Sequence, residues 1–123
     1  MIEHEKIIKR YFECWITGDI SILEKTFDKN VIYSECYGPE YNGLEVIQKW
    51  FNDWHKRGEV LVWDIKQFLH QDNKTSVEWY FKCKYDRKIG EFDGMSLIEF
   101  NDKNYIVNLK EFQSKIPHYY PYK

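Results

Sequence analysis

The sequence predicts an α+β fold in which a curved antiparallel or mixed β-sheet wraps around three N-terminal helices. The first half of the chain carries apolar residues at helical spacing, with one short strand pattern between two such stretches. The second half carries four long runs in which apolar and polar residues alternate, separated by short polar turns. Helices and strands segregated along the chain in this way are typical of α+β domains. A sheet that curls around helices can enclose a pocket lined by the inward positions of each element.

The first helix is predicted from an apolar stripe at i, i+3, i+4, i+7 and i+8, formed by Ile8, Tyr11, Phe12, Trp15 and Ile16. Gly18 marks its end. Asp19 is a suitable N-cap for a short second helix that runs through Leu23 to Phe27. Both helices are expected to lie inside the curl of the sheet.

A strand and a third helix follow. Residues 31–33 (VIY) indicate a buried strand, and a turn signal comes after it at Gly38–Pro39. Asn42, with Glu45 three residues later, resembles a capping box that opens the third helix. Gly58 closes this helix. Its apolar stripe consists of Ile47, Trp50, Phe51 and Trp54.

Four long antiparallel strands are predicted after the third helix. Their segments are EVLVWDIKQFLH, TSVEWYFKCKY, IGEFDGMSLIEF and YIVNLKEFQ, with turns at QDNK and NDKN. In the second strand, alternation assigns one face to Val77, Trp79, Phe81, Cys83 and Tyr85, and the other to Ser76, Glu78, Tyr80, Lys82 and Lys84. If the helices pack inside the curl, four aromatic side chains should be largely buried: Trp15, Trp50, Trp79 and Phe81.

Composition narrows the class of protein. The 123 residues are expected to form one domain, residues 1–123. The 18 basic and 20 acidic residues give a formal charge of −2, which argues against a nucleic-acid partner because such proteins normally show a basic excess. Aromatic residues make up 19% of the chain, and residues of this type line apolar pockets as well as cores.

The sequence also argues against a membrane location and a metal site. No apolar run approaches the ~20 residues that span a bilayer, and the opening segment MIEHEKIIKRYF lacks the apolar core of a signal peptide. The cysteines form no CxxC motif, so a disulfide framework or zinc site is not expected and a reducing cytoplasm fits best. The histidines lack metal-ligand spacing, so a bound metal is not expected. The cysteines are Cys14, Cys36 and Cys83, and the histidines are His4, His55, His70 and His118.

Two carboxylates fall on otherwise apolar strand faces. Glu35 lies two residues after Tyr33 and therefore on the same face of the first strand, and Glu111 has the same relation to Leu109 on the last strand. Inward acids of this kind can be catalytic groups. They can also be rim residues, or be satisfied by a Lys, Arg or Tyr. The residues alone leave both interpretations open.

Nearly the whole chain resembles one known superfamily. The segment IIKRYFECWITGDISILEKTFDKNVIYSECYGPEYNGLEVIQKWF is similar to the opening half of the ketosteroid isomerase-like and SnoaL-like superfamily, also called nuclear transport factor two-like. The shared frame is a Tyr-bearing first helix, GD before a short helix, F-x-x-x-V, an acidic strand end and a Gly-led third helix. GEFDGMSLIEFNDKNYIVNLKEF resembles the family's two final strands. The resemblance implies the cone-shaped fold, which hosts many functions.

The resemblance also implies roles for individual residues. Ketosteroid isomerases carry an oxyanion-donating tyrosine on the first helix, which falls on Tyr11, and a general base at the end of the first strand, which falls on Glu35. Their protonated aspartate falls on Ser96, whose hydroxyl can still donate a hydrogen bond. Asp93 is then expected to face outward. Glu111 would lie near Tyr11 and accept or donate a proton there, although Tyr11 is equally well a core residue of the helix stripe.

The function implied by this resemblance is proton abstraction next to a carbonyl group, by an isomerase, aldol cyclase or dehydratase that needs no cofactor. SnoaL-like polyketide cyclases are the closest functional picture, and the expected ligand is a small hydrophobic or carbonyl-containing compound. Aromatic walls would raise the pKa of the base. The alternative is a non-catalytic module that binds such a ligand or another protein. The expected wall residues are Trp15, Tyr33, Trp50, Trp54, Trp79, Phe81 and Leu109.

Association is predicted from the polar faces of the long strands. They leave a broad outer surface that contains Tyr80 and Phe92 or Met95, and such faces commonly pair isologously, so a homodimer is expected. The tail KIPHYYPYK has two prolines that stop a strand and three tyrosines that make it apolar. It is expected to cover the mouth of the cone, to contact a partner subunit or to dock on its own domain.

Overall fold

The computed structural model describes residues 2–122, and the predicted order of helices and strands is confirmed in it. The helical elements are α1 (Ile2–Thr17), a 3₁₀ turn (Ile20–Ile22), α2 (Leu23–Thr26) and α3 (Leu44–His55). The strands are β1 (Phe27–Ser34), β2 (Glu40–Asn42), β3 (Gly58–Gln71), β4 (Lys74–Tyr85), β5 (Lys88–Phe100) and β6 (Ile106–Ser114). The short strand β2 was not predicted. Within residues 2–122, no helix has the length and apolar character needed to cross a bilayer.

The six strands form one mixed sheet in the order β2-β1-β6-β5-β4-β3. β1 and β6 run parallel, and the other neighbouring strands are antiparallel. The predicted α+β fold is therefore confirmed, with three helices against a mixed sheet. The parallel pair has a direct consequence for the site. Ser34 lies opposite Lys110, so Glu35 and Glu111 are the next residues along two neighbouring strands.

The core lies between the helices and the concave face of the sheet. Four of the five predicted stripe residues of α1 are buried, whereas Ile16 is 37% exposed. In α3, Ile47 and Phe51 are buried, while Trp50 and Trp54 are half-buried. Each helix therefore buries a narrower stripe than predicted. Trp15 and Trp79 are buried as predicted, whereas Trp50 and Phe81 are half-buried and pack against the core.

The two predicted N-caps have different outcomes. Asp19 caps the 3₁₀ turn, because its carboxylate accepts a hydrogen bond from the backbone N–H of Ser21 at 3.1 Å. The capping box at Asn42 is wrong: Asn42 pairs with Ile32 in the sheet, and Gly43 is the N-cap of α3 without a side-chain cap. Gly43 has a φ of +100°, a conformation that glycine adopts readily. The chain uses it to turn from β2 directly into the helix.

Strand β5 shows which side chains face the helices. Gly94 and Ser96 are buried, whereas Met95 is 38% exposed on the outer face and Asp93 is bonded there to Lys66, as predicted for a regular strand. No register shift occurs in the β4–β5 pair. Phe92 therefore faces inward, in phase with Gly94, and of the two alternatives predicted for the outer face the structure selects Met95. Its ring packs on Trp79 and Phe81.

Gly94 provides a test of this packing. Gly94 lies directly opposite Trp79, and a Cβ added there would come within 2.3 Å of the Trp79 ring and 2.7 Å of the backbone oxygen of Phe112. Because neither group can move freely, we expect Gly94→Ala to lower the free energy of unfolding by about 1–3 kcal/mol. Urea denaturation measures the change.

Gly90 on the same strand is the matched control. A Cβ there would meet only the Cys83 sulfur, at 3.9 Å. Gly90→Ala should therefore stay within about 0.5 kcal/mol of the wild type. Equal stability of the two variants would show that the Trp79 ring does not fill the space above Gly94.

The C-terminal segment lies on the opposite side of the sheet from the helices. His118 lies with Met95 and Phe112 along a shallow groove on the outer face. The three tail tyrosines are exposed, at 81% for Tyr119, 85% for Tyr120 and 90% for Tyr122. The tail therefore does not bury its tyrosines on its own domain.

Candidate functional site

A cavity of about 720 Å³ lies inside the curl, between α1, α3 and the concave face of the sheet. Its size is within the range of sites for small organic ligands, ~300–1,000 Å³. Six of the seven predicted wall residues line it: Trp15, Tyr33, Trp50, Trp54, Trp79 and Phe81. Trp63 and Phe92 add two further aromatic rings. Leu109, the seventh predicted residue, is fully buried in the core, and its side chain is not among those lining the cavity.

Glu35 projects into the cavity from the end of β1. Its backbone is held by a short turn, in which its N–H donates to the Pro39 carbonyl oxygen at 2.9 Å and its own carbonyl accepts from Gly38 at 3.3 Å. One carboxylate oxygen accepts a hydrogen bond of 2.7 Å from the Tyr41 hydroxyl. Burial raises the pKa of Glu35, and the Tyr41 hydrogen bond opposes that rise. The group is therefore a carboxylate with increased basicity.

Glu111 lines the same cavity from β6. Its Oε2 accepts a hydrogen bond of 2.6 Å from the Tyr33 hydroxyl. Burial raises its pKa to about 8, with a smaller contribution from the negative charge of Glu35, while the Tyr33 hydrogen bond acts in the opposite direction. At neutral pH, Glu111 is therefore mainly a neutral carboxylic acid. Both acids in the pocket thus have raised pKa values.

Tyr11 and Ser96 lie behind the cavity wall. The Tyr11 hydroxyl donates to the Tyr33 hydroxyl at 2.9 Å, which in turn donates to Glu111, so Tyr11 reaches the cavity only through this chain. The Ser96 hydroxyl accepts a hydrogen bond of 3.0 Å from the indole N–H of Trp79. Both side chains are fully buried. Burial raises the pKa of Tyr11 well above its ordinary value, so the hydroxyl stays protonated.

Ser96 and Glu111 are directly opposite each other in the β5–β6 pair. The position that aligns with the acid of ketosteroid isomerases therefore carries no carboxyl group here, but the neighbouring position on the next strand does. The cavity consequently contains a tyrosine beside a protonated carboxyl group, with the carboxyl supplied by β6 instead of β5.

The mouth of the cavity is marked by four exposed lining residues: Tyr37, Asp53, Lys56 and Arg57. The Tyr37 ring packs edge-on against Phe92 at a centroid distance of 5.9 Å. Lys56 pairs with Asp53 at 3.4 Å, and Arg57 pairs with Asp86 at 3.7 Å. Exposed pairs of this kind contribute little to stability. Among the described lining residues, the cationic ones are thus confined to the entrance.

Nine residues that line the cavity were not predicted as site residues: Tyr37, Tyr41, Asp53, Lys56, Arg57, Trp63, Cys83, Tyr85 and Phe92. Tyr41 lies in a segment that reads as a turn, because β2 has only three residues. Phe92 was one of two alternatives for the outer face, and the structure places it inside. Trp63 lies in β3 between two register shifts, but its alternation with apolar neighbours is a signal that could have identified it.

The residues available for chemistry are carboxyl and hydroxyl groups. Glu35 can accept a proton, Glu111 can donate one, and the aromatic walls keep the medium around them apolar. Within residues 2–122, no group of three or more His, Cys, Asp or Glu side chains is placed to hold a metal ion. Two carboxyl groups in one apolar pocket can divide the roles of acid and base in a proton transfer.

Comparison with known proteins gives one family and many similar structures. The family model described as SnoaL-like domain matches residues 8–108. No curated protein matches the chain. An LEH-like epoxide hydrolase from M. tuberculosis has a TM-score of 0.82 at 10% identity, covering 92% of this chain and 84% of that one.

Two further structures have similar scores. A protein with a ketosteroid isomerase-like fold from Catenulispora acidiphila, in complex with trimethylamine, has a TM-score of 0.76 at 14% identity, covering 86% of this chain and 83% of that one. A protein described as a SnoaL-like polyketide cyclase from Shewanella denitrificans has a TM-score of 0.75 at 12% identity, covering 90% of each chain. At these identities the similarity shows a shared fold.

Proposed function

The chain belongs to the SnoaL-like family, and from that premise we propose that it is a cofactor-independent isomerase, aldol cyclase or dehydratase. In this proposal it removes a proton next to the carbonyl group of a small hydrophobic compound. The observation that carries the proposal is the pair of carboxyl groups in an aromatic cavity, each bonded to its own tyrosine hydroxyl. Both groups are needed, because proton abstraction requires a base and the resulting enolate requires a donor at its oxygen.

The geometry supports a division of roles between the two acids. Glu35, as the carboxylate, takes the proton from the α-carbon. Glu111, as the neutral acid, donates a hydrogen bond to the carbonyl oxygen that becomes the enolate oxygen. Tyr33 holds Glu111, and Tyr11 acts through Tyr33 as a positioning residue. Ser96 fixes the Trp79 ring in the cavity wall.

This division predicts a bell-shaped dependence of kcat/KM on pH. Activity should rise as Glu35 loses its proton, above the usual range for a glutamate because its pKa is raised. It should fall again as pH increases through about 8, where Glu111 loses the proton that it donates. The assay is deuterium exchange at the α-carbon of a panel of ketones and β-keto acids. This assay detects proton abstraction itself, so the final product of the reaction does not have to be known.

A second candidate is a non-catalytic module that binds a small ligand. The observation that favours it is that each acid already accepts a hydrogen bond from a tyrosine, which also satisfies a structural carboxyl group. The trimethylamine complex of the similar Catenulispora acidiphila structure supports small-ligand binding in this fold. A module of this kind would bind panel compounds without exchanging their α-protons.

The proposal includes a homodimer through the outer face of the sheet and a location in the cytoplasm. Met95 and Phe112 are cross-strand partners on that face and are 38% and 44% exposed, next to Leu97 at 41%. Exposed apolar patches of this kind often mark interfaces. The three cysteines carry free thiols, which suits the reducing cytoplasm.

The dimer is tested by a charge placed in this patch. Light scattering should give twice the chain mass of 15.2 kDa for the wild type, and Leu97→Lys should shift the protein to monomer because a lysine in an apolar interface must lose its hydration. Val46→Lys is the control, because Val46 is equally exposed, at 44%, on α3. A wild type that is monomeric at micromolar concentration would remove the dimer and leave the fold unaffected.

A further inference from the structure

Two tyrosines at one register position hold the two carboxyl groups of the cavity. Tyr33 on β1 and Tyr41 on β2 are direct partners in an antiparallel pair. The Tyr33 hydroxyl donates to Glu111 at 2.6 Å, and the Tyr41 hydroxyl donates to Glu35 at 2.7 Å. Each acid therefore has its own tyrosine, and the spacing of the two tyrosines is fixed by the sheet.

Trp50 fixes the rings of both tyrosines. It stacks on Tyr41 with a centroid distance of 4.2 Å and an interplanar angle of 13°, and it meets Tyr33 edge-on at 5.1 Å. Trp50 is itself packed against Trp15 of α1. The Tyr41 ring is therefore held by the sheet through its backbone and by α3 through its face, and its hydroxyl has little freedom to leave Glu35.

Glu35 has few other restraints. It lies one residue beyond the end of β1, and its backbone is held only by the short turn to Pro39. A carboxylate on such a turn has several rotamers available to it. The Tyr41 hydroxyl selects one of them, and a base must be held within a fraction of an ångström to transfer a proton efficiently.

On this basis, and resting on the proposed function, we propose that Tyr41 is the positioning residue of the general base: its hydroxyl fixes the Glu35 carboxylate toward the substrate. A hydrogen bond to the charged form of an acid favours that form. The Tyr41 hydrogen bond therefore lowers the basicity of Glu35. In return, it holds the carboxylate in a defined position and increases its ionised fraction at neutral pH. This role belongs to the short strand β2, to which the sequence assigns no site residue.

The test is Tyr41→Phe, which keeps the ring stacked on Trp50 and removes the hydroxyl. Burial still raises the pKa of Glu35 in this variant, and the opposing hydrogen bond is lost, so the carboxylate should titrate at higher pH than in the wild type. Carbon-13 NMR of glutamate carboxyl groups in the full chain measures this directly. The Glu35 resonance is identified as the one that is absent from Glu35→Gln.

The kinetics of Tyr41→Phe should change in the same direction as the titration of Glu35. In the exchange assay, the acidic limb of the kcat/KM profile should move to higher pH, and kcat at the optimum should fall roughly two- to tenfold, the value of one hydrogen bond, with KM nearly unchanged. A tyrosine that only stabilised the fold would change neither the position of the limb nor the titration.

Tyr80→Phe is the matched control. The Tyr80 hydroxyl also donates to a glutamate, Glu91, but on the outer face of the sheet. This variant should leave the Glu35 titration and the exchange rate unchanged. An unchanged Glu35 titration in Tyr41→Phe would overturn the proposal. The NMR measurement needs no substrate, so a shifted Glu35 titration supports the Tyr41–Glu35 link even if the panel contains no exchangeable ketone, in which case only the proposed function fails.

Discussion

Glu35→Gln is expected to lower the rate of α-proton exchange by roughly 10²- to 10⁴-fold, the contribution of a general base. The amide has nearly the shape of the carboxylate and can still bond to Tyr41, so ligand affinity should change little. It cannot accept the proton, however, because an amide is too weakly basic at neutral pH. The rate is measured by NMR as deuterium uptake at the α-carbon of the panel ketones.

Glu40→Gln is the control for this variant. Glu40 lies in β2, is exposed and bonds to the Ser34 hydroxyl at 3.0 Å. Its side chain is not among those lining the cavity. Its replacement should leave exchange unchanged. If the wild type and Glu35→Gln exchange equally, the carboxylate at the end of β1 is a structural group and the binding module becomes the better description.

Glu111→Leu is expected to lower exchange by roughly 10²- to 10³-fold, because it removes the donor at the enolate oxygen. Glu111→Gln should lose less, since an amide N–H still donates a hydrogen bond. Both variants should lose the fall in activity that the wild type shows near pH 8, because neither side chain titrates there. The pH profile of the exchange reaction separates this role from a purely structural one.

The pH dependence of the free energy of unfolding gives an independent test of the protonation state of Glu111. Its pKa is about 8 in the folded protein and about 4.5 as a free side chain. Between these values the folded state binds more protons than the unfolded state, so the free energy of unfolding should decrease as pH rises from about 4.5 to about 8 and then level off. Glu111→Gln should lack this contribution. A wild type and variant with parallel stability profiles over that range would show that Glu111 is ionised in the cavity.

Alternation along strands was enough to predict much of the fold and several cavity residues. Trp79 and Phe81 occupy the inward face of β4 as expected, because a two-residue period fixes the face of every side chain once one is known. By the same rule, Glu35 faces inward because it lies two residues after the inward-facing Tyr33. The two-residue period therefore predicted the face of each side chain wherever a strand was long and regular.

The contacts between helices and strands could not be predicted from the sequence. The pattern places Tyr11 in the core stripe, but only the packed structure shows that its hydroxyl meets Tyr33 before Glu111. Tyr41 could not be assigned because a three-residue strand has too little alternation to be recognised. Leu109 was assigned to the cavity because it faces the same way as Glu111, yet inward-facing positions are shared between core and cavity.

The parallel pairing of β1 with β6 also bears on the order in which the chain folds. The strands β3 to β6 form a meander of sequential neighbours, whereas the Tyr33–Glu111 bond joins residues 78 positions apart. Contacts of long sequence separation form late, because the entropy of closing the loop is lost before the contact can compensate. The side chains of Glu35 and Glu111 are therefore expected to meet only when β1 docks on the sheet formed by β3 to β6. A local opening that released β1 and β2 would separate the two acids while the meander persisted, so the arrangement of the site is expected to be less stable than the meander.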